Sequence, residues 1–505
     1  MKRTPPAPPP PRVVIVGGGL AGLATAATLV GRGLRITLLE SRPRLGGRAG
    51  SFTDPVTGEL VDNCQHVSMV CCTNLADFCR RVGIDGLFRR EPAITFLAPD
   101  GRTSTLRAGL GPAPFHLGLS FLRSKHLRWG DKLRVAYGLA RLALDRDAGR
   151  RAEGTFADWL IRHRQTVRTM NLFWGPVLVS ALNERLDLMD VGLARQVFVD
   201  GFLMNRRGFQ MEIPAAPLGE LYGAPLEAWL RARGVEVRLT TGVRSIDPDP
   251  EDASAVGGVT LRNGEALDAD FVVATVPFDR VGGLLDPAIR ALVPALEGLK
   301  GMESSPITGV HLWFDRPVCP LDHVVAPGRL LHWVFNHSAL QGRGSEAGGQ
   351  YLQVVISAAY DLVGMDKGAI RDAVLADLAE MWPVAREAKL LRWWVVTEHG
   401  ATFAARPGVA ALRPPQRTPV DGLFLAGDWT DTGWPATMEG AVRSGYLASQ
   451  GVLEDLGSPE RLVRPDLPPD RLARFLLGSP EPSEKDFTPD FEECADDPAG
   501  GPGPA

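Results

Sequence analysis

Val13-Val14-Ile15-Val16-Gly17-Gly18-Gly19-Leu20-Ala21-Gly22 is the stretch on which the fold turns. Four apolar residues in a row predict a strand buried on both faces. A glycine cluster follows, and Leu23-Ala24-Thr25-Ala26-Ala27-Thr28-Leu29 continues as a helix. Gly17 permits a tight turn, and Gly19 lets the backbone approach a pyrophosphate. Gly22 lets helix and strand pack closely, and the N–H groups of a helix opening at Leu20 and Ala21 face an anion. The helix stops at Gly31-Arg32-Gly33, and a second apolar strand, Ile36-Thr37-Leu38-Leu39, ends in Glu40. An acid about 20 residues past the glycines is where a ribose finds its acceptor, with Ser41 beside it. The stretch predicts a dinucleotide site; a glycine-rich βαβ turn without a ligand is the alternative.

With 505 residues the chain is long enough for two or three domains. Hydrophobic residues at 45% and charged residues at 23% are a globular mixture, and a net charge of -4 excludes the broad basic field of a nucleic-acid binder. Cys64, Cys71, Cys72 and Cys79 crowd together without a Cys-x-x-Cys pair or a histidine pattern, so no metal is expected. They read as reduced, buried thiols on a helix, which suits a cytoplasmic protein. No signal-peptide core and no 18-residue charge-free run is evident.

Residues 1–11 are Pro-rich and expected to be disordered. Three separated segments, 12–88, 215–298 and 416–455, carry the marks of one nucleotide-binding domain. The second contains β-rich stretches from Val235, a start at Val243 and an Asn263-Gly264 hairpin signal. Residues 89–214 and 299–415 form an inserted α+β domain. Residues 456–505 read as a mostly disordered acidic and Pro-rich tail, with Leu472–Leu477 as an apolar piece able to dock. The fold class is α/β, Rossmann-like, with that insertion.

After Glu40 comes Arg44-Leu45-Gly46-Gly47-Arg48, which brings backbone and a guanidinium toward the pyrophosphate. Together with the glycine turn it resembles the FAD-dependent amine oxidase and phytoene desaturase superfamily. Leu425-Ala426-Gly427-Asp428-Trp429 and Gly433-Trp434-Pro435-Ala436-Thr437-Met438-Glu439-Gly440 resemble that superfamily's closing flavin motif. The resemblance implies FAD at Gly17, Gly19, Leu20, Ala21, Gly22, Glu40, Ser41, Gly46, Gly47, Arg48, Val243, Gly427, Asp428, Thr437 and Met438. It implies a flavin with its N1–C2=O region over a helix N-terminus, which suits the charge that develops on reduction. With no Cys or His from Gly433 to Thr437 to attach to the ring, the flavin is expected to be non-covalent.

Val61-Asp62-Asn63-Cys64-Gln65-His66 resembles the Asp-Asn-Gly-Gln-His signature of hydroxysqualene dehydroxylases, the squalene-associated desaturase-like flavoproteins; Val310–Pro317 resembles a strand they share with phytoene desaturases. Cys64 stands where glycine is expected, so a positive φ there would be strained. The resemblance implies reductive dehydroxylation of a C30 allylic alcohol, which needs a proton donor at the departing hydroxyl. His66 is the expected donor, Asp62 its orienting partner and Gln65 part of the relay; a purely structural role for Asp62 and His66 is the alternative. Aromatics such as Phe115, Phe121, Phe173, Trp174, Phe198, Phe202, Trp333 and Phe335, with Leu117, Leu119 and Leu122, predict an apolar cleft for a long isoprenoid.

Arg123, Lys125, Arg128, Lys132, Arg134 and Arg141 outweigh Asp131 on an apolar background. This predicts either a solvated helix face or peripheral contact with the inner face of a membrane. The competing functions are carotenoid desaturation, amine oxidation, and a non-catalytic FAD-binding scaffold. The electron donor or acceptor is left open.

Overall fold

The computed structural model describes residues 9–147, 154–344 and 348–478. Its centre is a five-stranded, all-parallel sheet in the order Glu236–Arg238, Arg35–Leu39, Arg12–Val16, Phe271–Ala274, Leu423–Leu425. Val13–Val16 lies in the middle, buried on both sides, as its unbroken apolar run requires. These strands lie in segments 12–88, 215–298 and 416–455.

The helix Leu20–Leu29 is buried on every side. It crosses the long helix Met438–Asp455 through small residues: a Cβ on Gly445 would sit 2.4 Å from the Ala21 carbonyl oxygen. The Thr28 and Ser449 hydroxyls meet at 2.8 Å at the same crossing. Backbone contact of this kind is available only where side chains are small. Asn263-Gly264 does close a hairpin, between Val256–Leu261 and Ala266–Asp268, with Gly264 at φ +92°.

A seven-stranded sheet lies beyond, in the order Leu390–Phe403, Ser304–Phe314, Gln350–Ser357, Trp333–Asn336, His323–Val325, Ala93–Leu97, Thr103–Arg107. Its alternation sorts residues between two faces. Val310, Leu312, Val334, Val354 and Ile356 pack with Ile370, Val374 and Leu378 of the helix Lys367–Met381. Ile307, Trp333, Phe335 and Val355 point the other way, into a cavity. A small sheet of Ser68–Met69, Met211–Pro214 and Phe88–Glu91 ties the halves together, so the expected boundaries at 88 and 214 cut through one sheet.

Residues 456–478 are not the start of a disordered tail. Leu462 and Val463 are buried in the core around the first helix. The Arg464 N–H donates to Asn74 Oδ1 at 2.7 Å, and Arg464 pairs with Asp77. The helix Arg471–Leu477 seats Ala473 on Ala113 and Ala143. Polar composition hid a few well-placed apolar anchors. Pro11 is held too, accepting the Arg35 N–H; residues 1–8 and 479–505 lie outside the described residues. Of the crowded cysteines only Cys79 sits within a helix, Thr73–Val82; Cys72 immediately precedes it.

Candidate active site

A cavity of about 1010 Å³ runs from the carboxyl ends of the parallel strands to the inner face of the seven-stranded sheet, where open parallel sheets place their ligands. Gly17, Gly19, Leu20 and Ala21 line one end. Gly17 is at φ +116°, its N–H donating to the Leu39 carbonyl. A Cβ on Gly22 would lie 2.0 Å from the Gly17 oxygen, so Gly22 is a packing glycine outside the cavity wall. A Cβ on Gly19 would meet nothing nearer than Gly47 Cα at 4.0 Å. That open space over a helix N-terminus is a cradle for a phosphate.

Gly46 and Gly47 close the cradle from below, with the Gly46 N–H donating to the Gly18 carbonyl. Glu40 is buried, and its two oxygens accept from the Gly18 and Arg42 N–H groups at 2.7 Å each. Ser41 lies beside it, and Val243 lines the same end. Arg48 pairs with Asp428 and donates to the Ala401 carbonyl. The Gly427 N–H donates to Ser444 Oγ at 2.8 Å, which turns the chain so that Asp428 faces the cavity. Thr437 caps the helix Met438–Asp455 by accepting from the Gly440 N–H, and Thr437 and Met438 bring that N-terminus to the wall. Two helix N-termini, a buried carboxylate and an open glycine cradle fit a dinucleotide.

Asp62 is not in this wall. It ends the strand Leu60–Asp62, is buried, and its Oδ1 accepts from Ser51 Oγ at 2.6 Å and the Leu218 N–H at 2.8 Å. Burial pushes its carboxyl up to about 6. It ties two segments together and does not orient His66. His66 does line the cavity, but its Nδ1 is 2.9 Å from the Cys64 carbonyl oxygen. A carbonyl only accepts, so Nδ1 carries the proton. Burial pushes the ring's pKa below the usual range. The neutral ring therefore presents Nε2 as an acceptor, not as the proton donor expected from sequence.

Gln65 is buried in the cavity wall. Its amide donates to the His66 carbonyl at 2.9 Å, while Oε1 has no hydrogen-bond partner among the described residues. Cys64 is not at positive φ, so cysteine in place of glycine is unstrained. Burial pushes its thiol up to about 12, which keeps it protonated.

The far end is apolar: Phe96, Val177, Phe202, Met211, Trp333 and Phe335 are among its lining. Several residues expected there lie elsewhere. Trp174 and Phe198 are helical core, and Phe115, Leu119 and Leu122 are on the outer surface.

Sequence reasoning missed Asp200, which lines the cavity from the helical turn Val197–Leu203. One turn earlier Gln196 Nε2 donates to the Gly433 carbonyl, fixing this helix to the loop ahead of Thr437. Burial pushes the Asp200 carboxyl up to about 6. No motif marks it; an acid in an otherwise apolar Val-Phe-Val-Asp-Gly-Phe-Leu run was the available signal.

Fold and site together define a dinucleotide-binding flavoprotein with a lipophilic substrate chamber. Residues 20–453 match the family of flavin-containing amine oxidoreductases, and the chain belongs to that family. It is an FAD-dependent oxidoreductase, and its cofactor is FAD. It is 28% identical over 455 residues to the 15-cis-phytoene desaturase of Solanum lycopersicum, covering 86% of this chain and 76% of that one. Against the 15-cis-phytoene desaturase of Synechococcus elongatus it is 26% identical over 454 residues, covering 86% and 94%. An oxidoreductase from Methanosarcina mazei superposes with a TM-score of 0.65 at 18% identity, covering 88% of this chain and 100% of the other. That likeness concerns the fold.

Proposed function

We propose that this oxidoreductase reduces an oxygenated isoprenoid, removing the hydroxyl of hydroxysqualene to give squalene. The observation that carries the reading is Gln65 Oε1, a buried acceptor in the cavity wall with no hydrogen-bond partner among the described residues. An unsatisfied buried acceptor costs about 1–3 kcal/mol. A substrate hydroxyl satisfies it, and a pure hydrocarbon does not. The Val61–His66 signature that holds Gln65 supports the same choice.

Bound FAD, once reduced, supplies the hydride equivalent. The remaining work falls to this chain. Gln65 accepts the substrate O–H and fixes the reacting end. Asp200, whose carboxyl burial pushes up to about 6, donates the proton with which the oxygen leaves as water. The C–O bond breaks, a C–H bond replaces it, and Asp200 is left ionised. Phe202, Trp333 and Phe335 exclude water and offer ring faces to the allylic cation. His66, neutral, has its one N–H committed to the Cys64 carbonyl and turns an acceptor, Nε2, the other way.

A second reading, desaturation of a carotenoid hydrocarbon, is favoured by the likeness to phytoene desaturases. One pair of experiments separates the two. Anaerobic, chemically reduced protein is mixed with hydroxysqualene, and oxidised protein with phytoene, while flavin absorbance and product mass are followed. Reoxidation with loss of one oxygen from hydroxysqualene is expected. Inert reduced protein, together with loss of two hydrogens from phytoene, overturns the proposal.

A further inference from the structure

Every exposed residue between 119 and 144 is apolar, aromatic, glycine or basic. The single acid of the helix Trp129–Leu144, Asp131, is buried and paired with Arg168 at 3.0 Å. Trp129, Leu133, Tyr137, Ala140 and Leu144 recur at helical spacing on the solvent side, Leu133 with 71% of its surface exposed. Arg134 and Arg141 are exposed along the same helix, and Arg123, Lys125 and Arg128 stand just before it. Lys132, counted with them on sequence, is buried and donates to the Leu122 carbonyl at 2.6 Å.

The helix Arg471–Leu477 extends this surface. Ala473 packs on Ala113 and Ala143, which leaves Phe475 84% exposed. Phe115 and Leu119 are exposed nearby in the chain, before the helix. A monomer rarely leaves so many large apolar side chains in water on neighbouring elements.

We propose that this face docks on the surface of an anionic lipid bilayer, with Leu119, Leu133 and Phe475 entering the acyl boundary and the arginines meeting phosphate headgroups. The absence of exposed acids from the 119–144 stretch matches a negative surface. The chamber also reaches this face. Met204 lines the cavity and belongs to the same small cluster as Ala113, Ala143 and Ala473, and its carbonyl accepts the Asp470 N–H at 2.8 Å. Met204 thus belongs both to the chamber wall and to the cluster that seats the helix Arg471–Leu477, which brings the lipophilic chamber toward the docking surface.

The test is flotation of the FAD-loaded full chain with phosphatidylcholine vesicles, with and without phosphatidylglycerol, in low and high salt. No substrate is present, so failure here is distinct from failure of the proposed reaction. Binding to the anionic vesicles is expected, weakened by salt and not abolished, because inserted apolar surface is not screened. The triple variant Leu119→Glu, Leu133→Glu, Phe475→Glu should keep its flavin spectrum and melting temperature, since these side chains stand in solvent. Its partition should fall about tenfold or more. Undiminished binding by a folded triple variant overturns the proposal. So does binding that vanishes in salt, which would leave charge alone at work. A wild type that ignores vesicles and dimerises through this face, as light scattering would reveal, overturns it as well.

Discussion

The two ends of the cavity recognise their ligands by different means. The dinucleotide end is built from backbone: the Gly19 cradle, the Gly18 and Arg42 N–H groups held by Glu40, and the helix opening at Thr437. Its geometry is set by residues that cannot carry side chains, so it leaves a pattern in sequence. The substrate end is built from side chains gathered from distant strands and helices, and the proposed reaction would draw on Gln65 Oε1, which lies in the Val61–His66 signature, and on Asp200, which no pattern marks. A site made of backbone tolerates little substitution, whereas one made of side chains can change its substrate and keep its fold.

The contrast is most severe at the glycines. Gly22→Val forces a Cβ into the Gly17 oxygen; overpacking costs about 1–3 kcal/mol, occasionally more. Little soluble, FAD-loaded protein is expected, read from the flavin-to-protein absorbance ratio. Gly19→Ala places its methyl in the open cradle, so it should fold with near wild-type melting and lose FAD affinity. Equal loss of folding in both variants would erase the distinction between packing and cradle.

At the substrate end, Asp200→Asn should slow single-turnover reoxidation of reduced flavin by hydroxysqualene by about 10²–10⁴-fold, the usual size for a lost general acid. FAD content should be unchanged. In the wild type the rate should fall as pH rises past about 6, where Asp200 ionises. His66→Gln should keep that descending limb. A limb that moves with His66 and ignores Asp200 would return the proton to the histidine.

Asp62 offers the matching control, a carboxyl pushed to about 6 by burial yet outside the chamber. Its folded pKa lies above the ordinary 3.8, so its stabilising contribution is complete below about pH 4 and lost as pH climbs through 6. Wild type should therefore lose on the order of 2–3 kcal/mol relative to Asp62→Asn between those limits. Denaturant melts at a series of pH values measure this, and turnover by Asp62→Asn should be retained.

Smaller effects complete the series. Glu40→Ala should weaken FAD by about 1–3 kcal/mol, through lost charge-assisted hydrogen bonds; titration of the apoprotein reads it. Cys64→Gly should cost only about 0.5–1 kcal/mol of stability, from the added freedom of the unfolded chain. A gain in stability would mean that cysteine is strained there after all.

Local patterns explain what could be read in advance. Val13–Gly22, Glu40 and Gly427-Asp428 each announce a turn within a few residues, and the three segments of the parallel sheet follow from such signals. Asp62 misled because adjacency in sequence is not adjacency in space. It closes a strand and bonds to Leu218, 156 positions away, while the next residues swing into the cavity. Asp200 was silent because one acid in an apolar helix has no spacing to betray it. Residues 456–478 deceived by composition, since Leu462, Val463 and Ala473 suffice to fasten a polar segment.

The crossing of Leu20–Leu29 with Met438–Asp455 at Gly445 bears on how the protein is made. The Gly427-Asp428 strap and the Thr437 helix end are made some 400 residues after the first glycine turn. Until then the central sheet lacks its last strand, and the cavity lacks Asp428 and its second helix N-terminus. FAD binding is thus expected to need residues 423–438 as well as the first glycine turn, and a chain truncated before them should purify colourless.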